Sequence, residues 1–522
     1  SGGNPRGSAR AGQTATGLTV WDMRSTNIGG GVNACNYINQ GCFLSAYRPG
    51  TTPIIAGYQS TYALGTDGGA VWAKGFYGDH VTSWGGYLPS GNDGQTPLTY
   101  HLDKGASLSV GSVIEPWQGS DGSLSKQFVR VDLFHPRFVS GLPVGVAATK
   151  GPVLIGLDAE FSWPGSTSAQ AIEQGILIAI DEINRSGGVL GGRPLELVKK
   201  DNGTIPARSI RNLREFAQAT DLVAVFCGRF SPTVIEALET VHALPLILLD
   251  PWAAADLITD NGFSPNYVFR LSLRDSHAMP ALLRYGSSKG IKTFGMMALN
   301  TTWGRSNLAA AEQYAAKARP QLKLVGVRWF NWQDQSLLDK YLDLKRLGAK
   351  AILLVANDRE ATILLKEVAS LPKADRLPVL SHWGVSGGQM SEAAGSVLPE
   401  VDFVMVQTYS FIGDERPRTR QVLDAANLLF GFPDARAIAS PTGLAHAYDL
   451  THILARAINH AGSTDRLAVR QALEEVRDYD GLIKRYRRPF DAGRHDALSE
   501  SDVIMTRYAP DGAIVPVAHG RR

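Results

Sequence analysis

The period of the apolar residues changes at residue 151. Beyond it, short continuous apolar runs alternate with stretches whose apolar residues recur at i, i+3 and i+4. The first kind reads as a strand buried on both faces, the second as an amphipathic helix. The pattern predicts strands over 153–157, 194–199, 222–226, 244–249, 268–271, 293–299, 323–329, 351–356, 378–381 and 401–408. It predicts helices over 168–184, 205–220, 278–289, 303–318, 337–347 and 359–370, then from about 418, over 442–461 and over 465–476. Short strands near 483–488 and 503–508 close the chain. In 168–184, Ala171, Ile172, Ile176, Ala179, Ile180 and Ile183 make one continuous face. Such alternation calls for parallel sheets covered on both sides, and a stretch of about 365 residues calls for two of them. The expected class is α/β: two Rossmann-like lobes with a hinge and a ligand cleft between them.

The stretch 221–256 has the clearest local signals. A strand breaks at Gly228, Ser231 stands where an N-cap belongs, and Pro232 suits the first helical position. In open parallel sheets ligands bind beyond the carboxyl ends of strands, where helix N-termini present free N–H groups. The loop 227–233 is therefore the first candidate for a ligand contact; an ordinary helix start is the plain alternative.

Residues 18–150 have another texture, rich in Gly, Ser, Thr and aromatics, with short alternating stretches at 69–87 and 105–117. They read as a Gly-rich mixed α/β or β domain of unknown role. A helix is expected over 125–140, where Phe128, Val131, Phe134 and Phe138 are interrupted by Pro136. Composition predicts disorder over 1–17. The change near Lys150 is abrupt enough to raise an unnatural join of two parts.

Hydrophobic content of 44% supports large cores, and a net charge of +3 gives no basic field for nucleic acid or an anionic membrane. No apolar run is long enough to span a bilayer. The start lacks the apolar core of a signal peptide, so it reads as a mature end, a truncation or an artificial boundary. Cys35 and Cys42 bracket six residues and are a candidate disulfide, which would suit an exported compartment; two free thiols are the alternative. Cys227, at a strand end, reads as buried packing. No metal-ligand spacing, phosphate loop or nucleophile elbow appears, so neither metal nor cofactor is expected. The aromatic run 329–334 reads as packing or a cleft edge, and R-Y-R-R at 485–488 as a solvated edge.

Four motifs carry a resemblance. I-A-I-D-E-I-N-R-S-G-G-V-L-G-G-R-P-L-E-L-V (178–198), G-R-F-S-P-T-V-I-E-A-L (228–238), N-T-T-W-G-R-S (300–306) and A-H-A-Y-D-L-T-H-I-L-A-R-A-I-N-H-A-G (445–462) resemble solute-binding proteins of the leucine/isoleucine/valine type. These serve ABC importers and have the type I periplasmic binding fold. The resemblance spans about 152–517. It implies one two-lobed domain over 151–517, lobe 1 at about 151–270 and 410–465, lobe 2 at about 271–409 and 466–517, joined by three crossovers. It implies a small solute passed to membrane permease subunits, no chemistry, and a periplasmic or extracellular place, lipid-anchored if the start is truncated.

By the same resemblance, Ser231 matches the position whose hydroxyl and neighbouring backbone N–H groups receive a ligand carboxylate, and Arg229 belongs to the same ligand-side loop. Trp303 stands where the family usually has Tyr. Phe161, Trp163 and Ser166 belong to a cleft loop, Asn357 and Asp358 to the place that offers an acid to an ammonium group, and Trp383 and Tyr409 to later strand ends. One departure concerns 245–255, where a Ser/Thr clamp is replaced by Asp250, Pro251 and Trp252. The resemblance implies an amino-acid-like ligand, whereas Asp250 would repel a carboxylate or accept from hydroxyl or amine groups. The solute expected is small and polar or aromatic, amino-acid-like or an amide or amine, and Trp252, Trp303 and Trp383 add a box suited to a flat, aromatic or cationic solute.

Two other readings stay open. One is a sensory binding domain that reports to a receptor or kinase. The other is a hydrolase-like N-terminal domain: H-V-T-S-W-G-G (80–86) and G-A-S-L-S-V-G-S-V-I-E-P-W (105–117) resemble the end of exported gingipain- or caspase-like proteins. His80 and Glu115 could then be an acid/base pair or merely structural polar residues. No Cys lies in 87–104 to serve as nucleophile.

Overall fold

The strand β1 (Val153–Ala159) is buried at every position but Leu154, as a strand covered on both faces must be. In the computed structural model, which describes residues 151–517 throughout and only strands within 9–138, β1 lies inside a five-stranded sheet. Its partners are β2 (Leu195–Asp201), β3 (Leu222–Cys227), β4 (Ile247–Asp250) and β5 (Val268–Arg270), in the order β2-β1-β3-β4-β5. Pairing is parallel from β1 to β5. The intervening helices are α1 (Thr167–Arg185), α2 (Pro206–Ala217) and α3 (Ser231–Ala243). All six side chains of β3 are buried, and each large apolar one stabilises the fold by roughly 1.5–3 kcal/mol.

A second sheet has seven strands. They are β6 (Thr293–Leu299), β7 (Lys323–Phe330), β8 (Ala351–Val355), β9 (Val379–Ser381), β10 (Phe403–Gln407), β11 (Ile504–Tyr508) and β12 (Ile514–Pro516). The order is β7-β6-β8-β9-β10-β11-β12, parallel up to β10 and antiparallel for the last two. It carries α4 (Asp275–Ser288), α5 (Thr302–Lys317), α6 (Leu338–Arg346) and α7 (Asp358–Ser370). The chain passes between the sheets after β5, after β10 and before β11. This is the expected α/β fold of two parallel-sheet lobes.

The tail divides differently from expectation. Helix α8 (Pro417–Phe430) and α9 (Pro441–Ala461) are followed by α10 (Arg466–Leu473), expected in the second lobe. Its Arg466 donates to the Leu222 carbonyl at the start of β3 (2.9 Å), and Arg470 to the Asn266 carbonyl (2.7 Å). The backbone of Ala497 still bonds Arg270 of β5. Only from β11 does the chain join the second sheet. The long arginines of α10 reach strand-edge carbonyls of the first lobe, which the apolar period alone does not reveal.

The chain divides into two compact units, Ser1–Pro152 with Asp181–Leu195, and Val153–Ile180 with Glu196–Arg522. Within the first, strands form antiparallel sets of four, five and two. The helix expected over 125–140 is two strands, Ser125–Val131 and Leu133–Phe138. Val129, Val131 and Leu133 alternate with Arg130 and Asp132, and Pro136 is poorly suited to a helix interior. Ala9–Gln13, inside the stretch expected to be disordered, pairs with Thr19–Met23. Cys35, Cys42 and Glu115 lie outside the described residues.

Candidate functional site

Strand ends build the site. After β3 the chain runs through Gly228, Arg229 and Phe230 into α3. Ser231 is already the first residue of that helix, with Phe230 before it, so it is not the N-cap that the sequence suggests. Its hydroxyl instead accepts the Ala255 N–H (3.3 Å). After β4, Asp250 Oδ1 accepts the N–H groups of Trp252 (2.9 Å) and Ala253 (2.8 Å). This side-chain-to-backbone turn aims Trp252. The indole lies against Gly443 of α9, where a Cβ would sit 2.8 Å from a ring carbon.

From the second lobe, Thr301 caps α5 by accepting the Gly304 N–H (3.3 Å), which fixes Trp303 in the first turn. Asn357 precedes α7, and Trp383 follows β9 in the short turn W-G-V-S-G-G. Residues of both lobes line one small cavity: Arg229, Ser231 and Trp252 on one side, Trp303, Asn357 and Trp383 on the other. The free space is about 10 Å³, room for roughly one water. The rings of Trp252 and Trp383 are 5.5 Å apart across it. Six of the twelve residues expected from sequence thus meet in one place.

The other six stand elsewhere. Asp358 is one step back and pairs with Arg229 (3.2 Å). Trp163 meets Phe230 edge to face (5.8 Å). Ser166 binds Glu160 (3.2 Å), and Phe161 lies beneath the Lys199 ammonium (5.2 Å). Asp250 is fully buried and turned to its own loop, and Tyr409 donates to Asp414 (2.9 Å). Phe161, Ser166, Asp250 and Tyr409 do not line the cavity, because each has a partner within its own loop or lobe.

Three contributors were not singled out. Phe230 carries the Arg229 guanidinium over its face (4.6 Å) and meets Trp332 edge to face (5.9 Å). Trp332 lines the cavity; the aromatic run 329–334 was its only signal. Glu160, at the end of β1, accepts the hydroxyls of Ser166 and Ser168 (2.8 Å) and the Arg229 N–H (3.3 Å). A carboxylate just past a buried strand was the signal for it.

Electrostatically the cavity is a donor site. The Arg229 side chain is only 2% exposed. Its Nη2 binds Asp358 and its Nε stands 3.9 Å from the buried Glu160 carboxylate, while Nε and Nη1 have no hydrogen-bond partner among the described residues. The Trp332 indole N–H is likewise buried with no hydrogen-bond partner among the described residues. No carboxylate lines the cavity. Buried unpartnered donors are costly, and an acceptor brought into the cleft removes that cost. Among the described residues no group of His, Cys, Asp and Glu could hold a metal, and no helix is long and apolar enough to cross a membrane.

Comparison with known proteins bears on the fold and the family. The chain is 24% identical over 349 residues to Leu/Ile/Val-binding protein homolog 7 of Brucella melitensis, covering 65% of this chain and 84% of that one. Its fold is similar to a periplasmic binding protein type 1 from Bordetella pertussis (TM-score 0.63, 21% identity, 70% of this chain and 100% of that one). It is also similar to a solute binding protein of an ABC transporter from R. palustris, solved with 4-hydroxybenzoate (TM-score 0.57, 17% identity, 70% and 95%). Since the family model for periplasmic binding proteins matches residues 152–512, which hold both lobes and the cleft between them, the chain belongs to that family.

Proposed function

We propose that this protein binds a small solute with a carboxylate on a flat apolar body, in the cleft between its lobes. It works outside the cytoplasm and hands the solute to the membrane subunits of an ABC importer, without chemical change. The observation that carries the ligand class is the pairing of unpartnered buried donors on Arg229 and Trp332 with the indoles of Trp252, Trp303 and Trp383. The helix start at Ser231 adds a favourable end for an anion, typically about 0.3–1 kcal/mol. An aromatic acid suits such a wall, and the R. palustris neighbour was solved with one.

A second reading has its own support. Arg229 and Asp358 together could meet the carboxylate and ammonium of an α-amino acid, as the name of the Brucella relative suggests. A thermal-shift screen separates the two. Aromatic acids are expected to stabilise the full chain by roughly 2.7 kcal/mol at about 100 times their Kd, while the corresponding amides do nothing. Stabilisation by leucine or phenylalanine but not by the acids would select the amino-acid reading.

A further inference from the structure

Asp275, the first residue of α4, has a completely buried side chain. Its Oδ1 accepts two donors of the second lobe, Trp303 Nε1 (3.2 Å) and His382 Nε2 (2.8 Å). The other nitrogen of His382, Nδ1, accepts the Trp383 backbone N–H (2.9 Å). That bond fixes the tautomer, so Nε2 carries the hydrogen that Asp275 receives. The imidazole lies edge to face against Trp303 (5.0 Å, 85°) and near-perpendicular to Trp383 (6.3 Å, 77°). One carboxylate oxygen thus holds Trp303 directly and Trp383 through one histidine.

The same residue reaches the first lobe. Its backbone N–H donates to the carbonyl of Ala254 (2.9 Å), which lines the opposite wall of the cavity. Asp275 follows directly on the passage after β5, where hinge motion is absorbed. Its second oxygen, Oδ2, has no hydrogen-bond partner among the described residues. The carboxylate is bound only on the oxygen that faces the two ring donors.

We infer that Asp275 is a positioning residue for the solute site: it orients Trp303 and, through His382, Trp383, and ties both to the opposite wall at Ala254. It never touches the solute. It sets the width of the slot between the indoles, and so selects among flat acids by ring size. The selection rests on the cleft being the solute site; the orientation of the two indoles does not.

The test uses the full chain labelled with ¹⁵N-tryptophan, whose ten indoles give separable N–H signals. Trp303→Phe and Trp383→Phe assign the two that matter. Asp275→Asn, which keeps an acceptor oxygen, and Asp275→Ala, which does not, are compared without solute and with benzoate or 2-naphthoate. Both variants are expected to move the Trp303 signal, and the Ala variant the Trp383 signal as well, although Trp383 makes no direct bond to Asp275. The Ala variant is expected to change the benzoate-to-naphthoate affinity ratio by about tenfold, and the Asn variant by less. A Trp383 signal that stays fixed in Asp275→Ala overturns the relay. An unchanged ratio, in a chain that still binds both acids, overturns the selection. If the signals move as expected but neither acid binds the parent chain, the ligand class proposed above fails and the positioning role stands.

Discussion

Asp250 shows how a side chain can stand at the right strand end and still not face the ligand. Its Oδ1 turns back to two N–H groups of its own loop, a direction that sequence cannot supply. Burial raises its carboxyl to about 7, although Arg270 and the Trp252 and Ala253 N–H groups pull the other way. With the folded value above the ordinary 3.8, the native state keeps a proton that the unfolded chain loses. This contribution to stability is complete below about pH 4 and disappears as pH rises through 7. Asp250→Asn, which cannot ionise, should therefore gain melting temperature relative to the parent between pH 5 and pH 8. A pH-independent difference between the two would contradict the assignment. His446 has the opposite sign. Burial lowers it to about 3, with the Pro251 carbonyl bond opposing, so its contribution is lost as pH falls below about 6.5. His446→Gln should flatten the acid limb of the stability curve. Three of the four indoles of the cavity, Trp252, Trp303 and Trp383, were legible because strand-end loops point at the cleft; the partner of Tyr409 was not.

At the scale of elements, the loop after β3 and the start of α7 meet through Arg229 and Asp358. The close approach depends on Gly387, where a Cβ would lie 2.1 Å from Arg229 Nη1. Because Arg229 is buried, it cannot yield cheaply, and Gly387→Ala should weaken binding of an aromatic acid by about tenfold. Asp358→Asn distinguishes the two ligand classes. It removes a competitor for Arg229, so affinity for a plain carboxylate should rise; for an α-amino acid it removes the ammonium partner, and affinity should fall. Isothermal titration of the variant with benzoate and with leucine reads both. Elements of the two lobes were legible to within a few residues, because apolar runs and helical periods alternate without interruption. The stretch 125–140 was not, since four aromatic and branched residues fit a helical period while the local alternation fits strands.

At the scale of the molecule, the passages between the lobes are pinned by charge. Arg270, fully buried at the end of β5, binds Asp496 (2.6 Å), and Arg274 of the first passage binds the other oxygen of Asp496 (3.0 Å). Burial would raise the Asp496 carboxyl, but the two guanidinium groups hold it below the ordinary range. Asp496→Asn leaves Arg270 buried without its ion-pair partner, and should cost about 3–5 kcal/mol of stability, seen in denaturant unfolding. These partners are more than 200 residues apart, and no local pattern joins them; for the same reason α10 was assigned to the wrong lobe. The two-lobed plan, by contrast, follows from alternation and length.

The central claim is that the cleft takes an acid through Arg229. It is tested most directly by calorimetric titration of the full chain and of Arg229→Ala with benzoate, benzamide and leucine. The account predicts heat for benzoate with the parent chain, none for benzamide, and loss of the benzoate signal in Arg229→Ala. Benzoate binding that survives unchanged in Arg229→Ala, or heat from leucine alone, would contradict it.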